Sequence, residues 1–482
     1  MSKELYAIKL EMELTPKEES SLDGQSRICN WLYNHLLEKV HSLKEEFKKT
    51  KDGSIGKAVY SQRGLRNLIP GIKKENPFLC VVHSSPLKNA ALRLSESIRN
   101  YQNSVKGIRK GPKLGFPIFK SWKADWFSLF YDEPKKGFSL KGDLLTLSLG
   151  VGQDKKRRCL TAKLKDVNAL EGKEIRNLRI VSELGKYYAI FTTRKELPKQ
   201  KKVAKVIAFD PNHKNFAYGV DSEQKAIEIK APTWLKKYDR RIDELKSKRD
   251  RCTKKSKKMP VLTEQGDPTG KEYYLSSRRW KKYNNALKKT YRKRREQTKT
   301  FMYQLSNQLF KKYDCVGVGD YTPQGQGKTS AMRRSMNNRS LIGRWKKVLR
   351  WVAKKSGKIF LEFDEKGTTR TCNECLYIHK EGIALEKRMW RCPECEKIHI
   401  RDENSAINGI RRVISELVES NEGVDPSLVP CSGLFCIDKR WAWSVLPGLV
   451  VKTIRRQDSN ENLQLQEIKF ESVVALNQNL AV

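Results

Sequence analysis

Cys372, Cys375, Cys392 and Cys395 follow the pattern C-x2-C-x16-C-x2-C, two thiolate pairs at the separation that closes one tetrahedral zinc site. One structural Zn2+ is therefore expected. A redox CxxC would need a single pair inside a thioredoxin-like βαβ pattern, which the sequence lacks. His399 could replace a ligand, but with four cysteines available it reads as a surface histidine or a phosphate contact.

Two acids flank this set at positions suited to metal chemistry. Asp210 ends the apolar run VIAF, where a strand delivers a carboxylate to a sheet edge, and Asp402 opens RDENSAINGIRRVI, whose Ile407, Ile410 and Ile414 keep helical spacing. Each also has an ordinary structural explanation. Asp before Pro211 is a common turn pair, and Asp is a good helix N-cap. Taken together, two acids far apart in sequence are what a two-metal phosphodiester site needs, because Mg2+ prefers carboxylate oxygens and two ions about 4 Å apart clamp attacking and leaving oxygens. A third carboxylate is wanted, and spacing alone leaves Asp320, Glu362 and Glu365 open.

The elements that must position these residues are legible in outline. ELYAIKLEMELT (4–15) alternates as a strand, and a helix from about Pro16 carries Leu22, Ile28, Leu32, Leu36 and Val40, in a helical unit that runs to about Tyr101. After GPKLGFPIFKSW come strand-like runs at 137–151, 157–167 and 187–193, read as a β-barrel or sandwich interrupted by helices. The KELPKQKK linker (195–202) marks a boundary. Beyond it KVIAFDPNHKNFAYGVD opens a second domain with the strand that ends in Asp210.

Composition narrows the partners. The chain has 482 residues, room for roughly three domains of about 150 residues each, and 38% hydrophobic residues suffice for ordinary cores. Lys and Arg number 98 against 55 acids, a formal charge of +43, so a polyanionic partner is needed to relieve self-repulsion. Nucleic acid fits. A membrane surface does not, since no run of about 18 apolar residues, signal peptide or lipidation motif is found. The seven cysteines outside the zinc set form no disulfide framework, which fits a reducing, intracellular location: cytoplasm or nucleoid in a bacterium, nucleus in a eukaryote.

The strands with Asp210 and Asp320, EKGTTRTC opening the ribbon, the second CxxC and RDENSAINGI around Asp402 together resemble the TnpB family of transposon-encoded RNA-guided nucleases. That family is related to compact type V CRISPR effectors and to Fanzor proteins. The resemblance covers most of the chain. It implies a multidomain α+β and α/β fold: a wedge β-barrel (1–15 and 104–200) with an inserted helical recognition domain (16–103), and an RNase H-like RuvC nuclease domain (203–371 and 401–420). That nuclease domain would carry a helical insertion at about 235–312 and a zinc ribbon at 372–400. The tail 421–482 receives no function.

Family members usually place a glutamate at the end of the middle strand, where this chain has Gly319. A subset is similar to Fanzor proteins in placing the glutamate later, just before the residues that precede the first zinc cysteine, and Glu365 stands there. The resemblance thus implies Asp210, Glu365 and Asp402 as ligands of two Mg2+ ions, with Asp320 as the alternative third carboxylate. Guide RNA and double-stranded target DNA would be the partners, with the protein reading only a short flanking motif and a monomer favoured. The rival readings are a nuclease-deficient RNA-guided repressor and an RNase H-like transposase.

Two acid-free basic segments fit a nucleic-acid channel. Ser276 to Arg295 and Arg333 to Lys358 each hold ten Lys or Arg. Trp280, Tyr283, Leu287 and Tyr291 form an expected buried stripe in the first, and Leu341, Trp345, Val348 and Val352 in the second. The phosphate-contact candidates are Arg278, Arg279, Lys281, Arg292, Arg294, Arg295, Arg333, Arg334, Arg339, Arg344 and Lys347. Lys113, Lys120 and Lys123 near GFPIFKSW are added by the resemblance.

Overall fold

The computed structural model describes residues 3–109, 111–121, 127–152, 154–200, 202–211, 216–223, 225–254, 257–262, 268–321, 329–330, 340–384, 387–420 and 439–440. Lys123, Arg333, Arg334, Arg339, Cys431 and Cys436 lie outside them. The chain divides into two compact units, Ser2–Glu196 and Leu197–Val482.

In the first unit, strands β1 (Lys3–Glu13), β2 (Leu129–Tyr131), β3 (Phe138–Lys141), β4 (Leu144–Val151), β5 (Arg157–Leu164), β6 (Ile175–Glu183) and β7 (Lys186–Glu196) make one antiparallel sheet in the order β2-β6-β7-β1-β5-β4-β3. The long helix Pro16–Thr50 starts as its sequence dictates. Thr15 and Glu18 form a reciprocal capping box with Pro16 behind it, so two orphan amides are satisfied where the helix begins. Leu22, Leu32, Leu36 and Val40 are buried along this helix, with Ile28 partly buried. The later helix Ser84–Val105 runs past Tyr101 and joins the same core as the sheet. The helical segment and the strands thus share one core.

The second unit is built on β8 (Val206–Pro211), β9 (Ala217–Asp221), β10 (Lys225–Ile229), β13 (Cys315–Gly319) and β14 (Ile359–Phe363), with a short β17 (Lys439–Arg440). Their order is β14-β13-β8-β9-β10-β17, and β8, β13 and β14 run parallel while β8, β9 and β10 alternate. Helices cover both faces. Ile207 and Phe209 point to the helices Arg278–Lys312 and Ile342–Ser356, through Phe301, Leu305, Trp345 and Leu349. Val206 and Ala208 point to the helix Arg401–Glu419, through Ile407, Ile410, Val413 and Leu417. A strand buried on both faces reads as the continuous apolar run VIAF for this reason.

Two glycines let that last helix lie close to the sheet. A Cβ on Gly409 would stand 2.6 Å from Phe363 Cζ, and one on Gly317 would collide with Val413. Between β10 and β13 the helix Trp234–Lys254, the hairpin β11 (Lys258–Leu262) with β12 (Pro268–Tyr274), and the helix Arg278–Lys312 form the helical excursion. Ile242, Leu245 and Leu287 pack together there, with Tyr283 against them. Tyr291 departs from the expected stripe: it is 42% exposed, and its neighbour on the helix Trp234–Lys254 is the Lys246 ammonium, 5.8 Å from its ring, rather than an apolar side chain. Leu341, Trp345 and Val352 are buried and Val348 partly so, as their spacing required. No helix among the described residues is long and apolar enough to cross a membrane.

Candidate active site and zinc centre

Each CxxC pair makes the same knuckle. The amide of Leu376 donates to Cys372 O and that of Cys372 to Tyr377 O, while Glu396 and Cys392 repeat the pattern with Cys392 O and Lys397 O. Leu376 and Glu396 both take positive φ, 63° and 57°, so the chain turns back under its sulfurs. Strands β15 (Met389–Arg391) and β16 (Ile398–Ile400) flank the second knuckle and pair with each other.

All four Sγ atoms lie within 4.8 Å of one another. Cys372 to Cys395 is 3.6 Å and Cys375 to Cys392 is 3.5 Å. A tetrahedron with Zn–S bonds of about 2.3 Å has edges of about 3.8 Å, so the residues present fit zinc. His399 corrects the expectation of a surface position. It is buried, its Nε2 lies 3.1 Å from Cys372 Sγ, and its ring packs on Trp390, so it supports a sulfur from inside the ribbon.

Asp210, Glu365 and Asp402 come from three elements that meet at one end of the sheet. β8 and β13 end there at Pro211 and Gly319, and Glu365 follows the parallel β14 by two residues. Asp402 is the second residue of its helix, whose N-cap is Ile400, so it does not act as the cap. Burial pushes Asp210 up to about 7, the negative charge of Asp402 adds to the rise, and a hydrogen bond with Ser405 opposes it. Burial likewise pushes Glu365 up to about 8, reinforced by Asp210. Like-charge influence of this kind requires carboxylates near one another.

Glu365 occupies the space next to Gly319. A Cβ on Gly319 would collide with its Oε1, Cγ and Cδ atoms, and Oε1 is buried without a hydrogen-bond partner. An all-carboxylate donor set with an orphaned buried oxygen suits a hard divalent cation such as Mg2+. The three acids are not drawn together as closely as the cysteines: among the described residues only the cysteine set has all its ligand atoms within 4.8 Å. Asp402 is meanwhile held by Arg388, whose Nη1 lies 3.1 and 3.2 Å from its two oxygens.

Asp320 Oδ1 accepts the amide of Glu365 at 3.1 Å. Glu362 is bound by Lys346 at 3.4 Å and by Arg350, an ion pair on the outer part of β14.

Several residues that the sequence did not single out bind the site together. Asn404 Nδ2 reaches Thr371 O at 2.8 Å and Asn408 Nδ2 reaches Thr368 O at 2.9 Å, fastening the segment before the ribbon to the Asp402 helix. Their i, i+4 spacing within RDENSAINGI was the available signal, since it puts both amides on one helix face. Thr368 Oγ1 meets Ser405 Oγ at 2.9 Å.

The basic candidates divide. Lys113, Arg278, Arg279, Lys281, Arg344 and Lys347 are exposed, and Arg292 is half-buried. Arg295 is exposed and pairs with Glu296 at 3.2 Å. Arg294 is turned inward to Asp239 at 3.4 Å. Lys120 is not a solvent-facing contact: its Nζ lies 3.4 Å over the Tyr33 ring, and burial pulls it down to about 6.

Residues 343–409 match the family model "Cas12f1-like, TNB domain". The match spans Glu365, the four cysteines and Asp402. No curated protein sequence matches the chain. Among solved structures, the "Cryo-EM structure of the Cas12f1-sgRNA-target DNA complex" aligns with 84% of this chain and 98% of that one, at TM-score 0.52 and 10% identity. The "Cryo-EM structure of CasPhi-2 (Cas12j) bound to crRNA and Phosphorothioate-DNA" aligns with 86% of this chain and 91% of that one, at TM-score 0.34 and 10% identity. The chain is thus similar in fold to the Cas12f1 protein and has a Cas12f1-like TNB segment around its zinc centre.

Proposed function

We propose that this chain is an RNA-guided, Mg2+-dependent DNA endonuclease of the TnpB kind, encoded by a transposon and cutting target DNA beside a short flanking motif. The observation that carries the reading is the meeting of Asp210, Glu365 and Asp402 at one end of a mixed sheet, with Glu365 lying where a side chain of residue 319 would stand. The fold likeness to a protein solved with guide and target strands supports the choice of partners. So does the charge of +43.

On this reading the first unit holds the wedge barrel and recognition helices, and the second is the RuvC-like nuclease with its ribbon. Asp210, Glu365 and Asp402 would hold Mg2+, which would supply Lewis-acid chemistry for activating water and for stabilising charge on the leaving 3′ oxygen. The chain's own part is to place oxygens and exclude alternatives. Asp210 presents its carboxylate from a rigid strand and is oriented by Ser405. Asp402 faces it from the helix, and Glu365 completes the donor set. Arg388 Nη1 holds both oxygens of Asp402 and orients that carboxylate. The exposed Arg278, Arg279, Lys281, Arg344 and Lys347 contact phosphates without reading bases, which leaves sequence choice to guide pairing.

The test is a cleavage assay beside a gel shift on the purified ribonucleoprotein. Asp210→Ala should abolish cleavage and retain target binding; equal cleavage by the variant sinks the assignment.

A further inference from the structure

Glu365 belongs to a turn, and a turn places a carboxylate accurately only when its own backbone is fixed. A strand-borne glutamate at position 319 would have inherited its place from the sheet register. Glu365 needs another source of order, and side chains from the end of β13, from the turn itself and from the Asp402 helix provide it.

The amide of Glu365 donates to Asp320 Oδ1 at 3.1 Å. Its carbonyl accepts the Thr368 hydroxyl at 2.9 Å and the Thr368 amide at 3.1 Å. On either side, the Arg412 guanidinium donates to the carbonyls of Asp364 and Lys366, the latter at 2.8 Å. Thr368 is itself anchored. It is 1% exposed, its hydroxyl meets Ser405, and its carbonyl accepts Asn408 Nδ2. The turn is thereby tied to the end of β13 through Asp320 and to the Asp402 helix through Arg412, Ser405 and Asn408.

We propose that Asp320, Thr368 and Arg412 are positioning residues that clamp the 364–368 turn, so that a turn-borne carboxylate stands beside Gly319. The inference rests on the reading of Glu365 as the third metal carboxylate. It gives Asp320 a role that acts through Glu365: what matters is an acceptor oxygen for one amide, not a negative charge on a metal. Outer partners of metal-ligating groups are worth about 10–100-fold in metal affinity or activity, which sets the effect to look for.

The experiment uses the full-length ribonucleoprotein, with Mn2+ as the probe ion followed by electron paramagnetic resonance, and cleavage rates measured alongside. Thr368→Val should weaken Mn2+ binding and cleavage about 10–100-fold, and Thr368→Ser, which keeps the hydroxyl, should recover most of the loss. Asp320→Ala should act in the same direction, and Asp320→Asn, whose amide oxygen still accepts the Glu365 N–H, should recover most of that loss. In a Glu365→Gln background, Thr368→Val should add no further loss of Mn2+ affinity, since the residue acts through the missing carboxylate. The clamp is overturned if Thr368→Val binds and cleaves like the parent, if Ser and Val at 368 are equally damaging, or if Asp320→Asn is as damaging as Asp320→Ala. The underlying reading fails separately: Glu365→Gln with full Mn2+ affinity and full cleavage removes Glu365 from the site whatever Thr368 does.

Discussion

Substituting Gly319 by alanine tests where the Glu365 side chain lies without relying on catalysis. A methyl group at position 319 would overlap Glu365 Oε1, Cγ and Cδ together. Rotating the end of the side chain relieves only the first overlap, so the carboxylate must leave its place or the turn must move. Overpacking of this kind costs about 1–3 kcal/mol. In a domain of this size that is a fall of about 2–4 °C in Tm per kcal/mol. Glu365→Ala removes the three atoms the methyl group meets most closely, so in that background Gly319→Ala should cost much less. The coupling between the two sites should fall within about 0.5–3 kcal/mol. Thermal unfolding of the parent, both single variants and the double variant completes the cycle. An equal Tm change for Gly319→Ala in both backgrounds would refute the placement of Glu365. The same single variant should also cleave at least about tenfold more slowly, because misplacing a reacting group by about 1 Å costs up to about 100-fold.

Further outcomes follow from the other contacts. Cys392→Ser should remove the single zinc and lower Tm, measured by metal analysis and calorimetry, because binding energy at a structural zinc site is folding energy. Retention of one zinc per chain in that variant would contradict the four-cysteine site. With folded values near 7 for Asp210 and near 8 for Glu365, against ordinary values of 3.8 and 4.5, the metal-free fold holds these protons more tightly than the unfolded chain. Its stability should therefore fall as pH rises from about 4 to about 8, and half-saturating Mg2+ should drop over pH 6 to 8 as protons stop competing. A Mg2+ requirement independent of pH in that window would count against the carboxylate set. Gly409→Ala, whose Cβ would sit 2.6 Å from Phe363 Cζ, should cost about 1–3 kcal/mol, and Phe363→Leu should restore part of it.

The zinc set was readable because its information is local: four cysteines in two short pairs carry both ligand type and spacing. Asp210 was readable for a related reason, since VIAF is apolar on both faces and its first acid marks the strand end. The choice between Asp320 and Glu365 was not local. Where the Glu365 side chain stands depends on a turn after β14 folding back over the end of β13, which brings it against Gly319. Gly317 and Gly409 were silent because a glycine that admits a crossing helix looks like any other until the helix is placed.

Neither the burial of His399 nor that of the Lys120 ammonium was legible from residue type. Polar side chains are usually exposed, but a thiolate beside one and a tyrosine ring beneath the other favour burial. Tyr291 keeps the periodicity of the stripe yet is 42% exposed, because spacing along one helix does not tell what the partner offers opposite, here the Lys246 ammonium.

RNA guidance is the centre of the account, and one preparation tests it. The gene is expressed with its downstream flanking DNA, and the RNA that survives nuclease treatment on the purified protein is sequenced and then used to direct cleavage of a matching target. The account predicts a single protected RNA with a constant scaffold and a variable end, and Mg2+-dependent cleavage that Asp210→Ala abolishes. No discrete RNA on the protein, or cleavage that ignores the guide sequence, would contradict it.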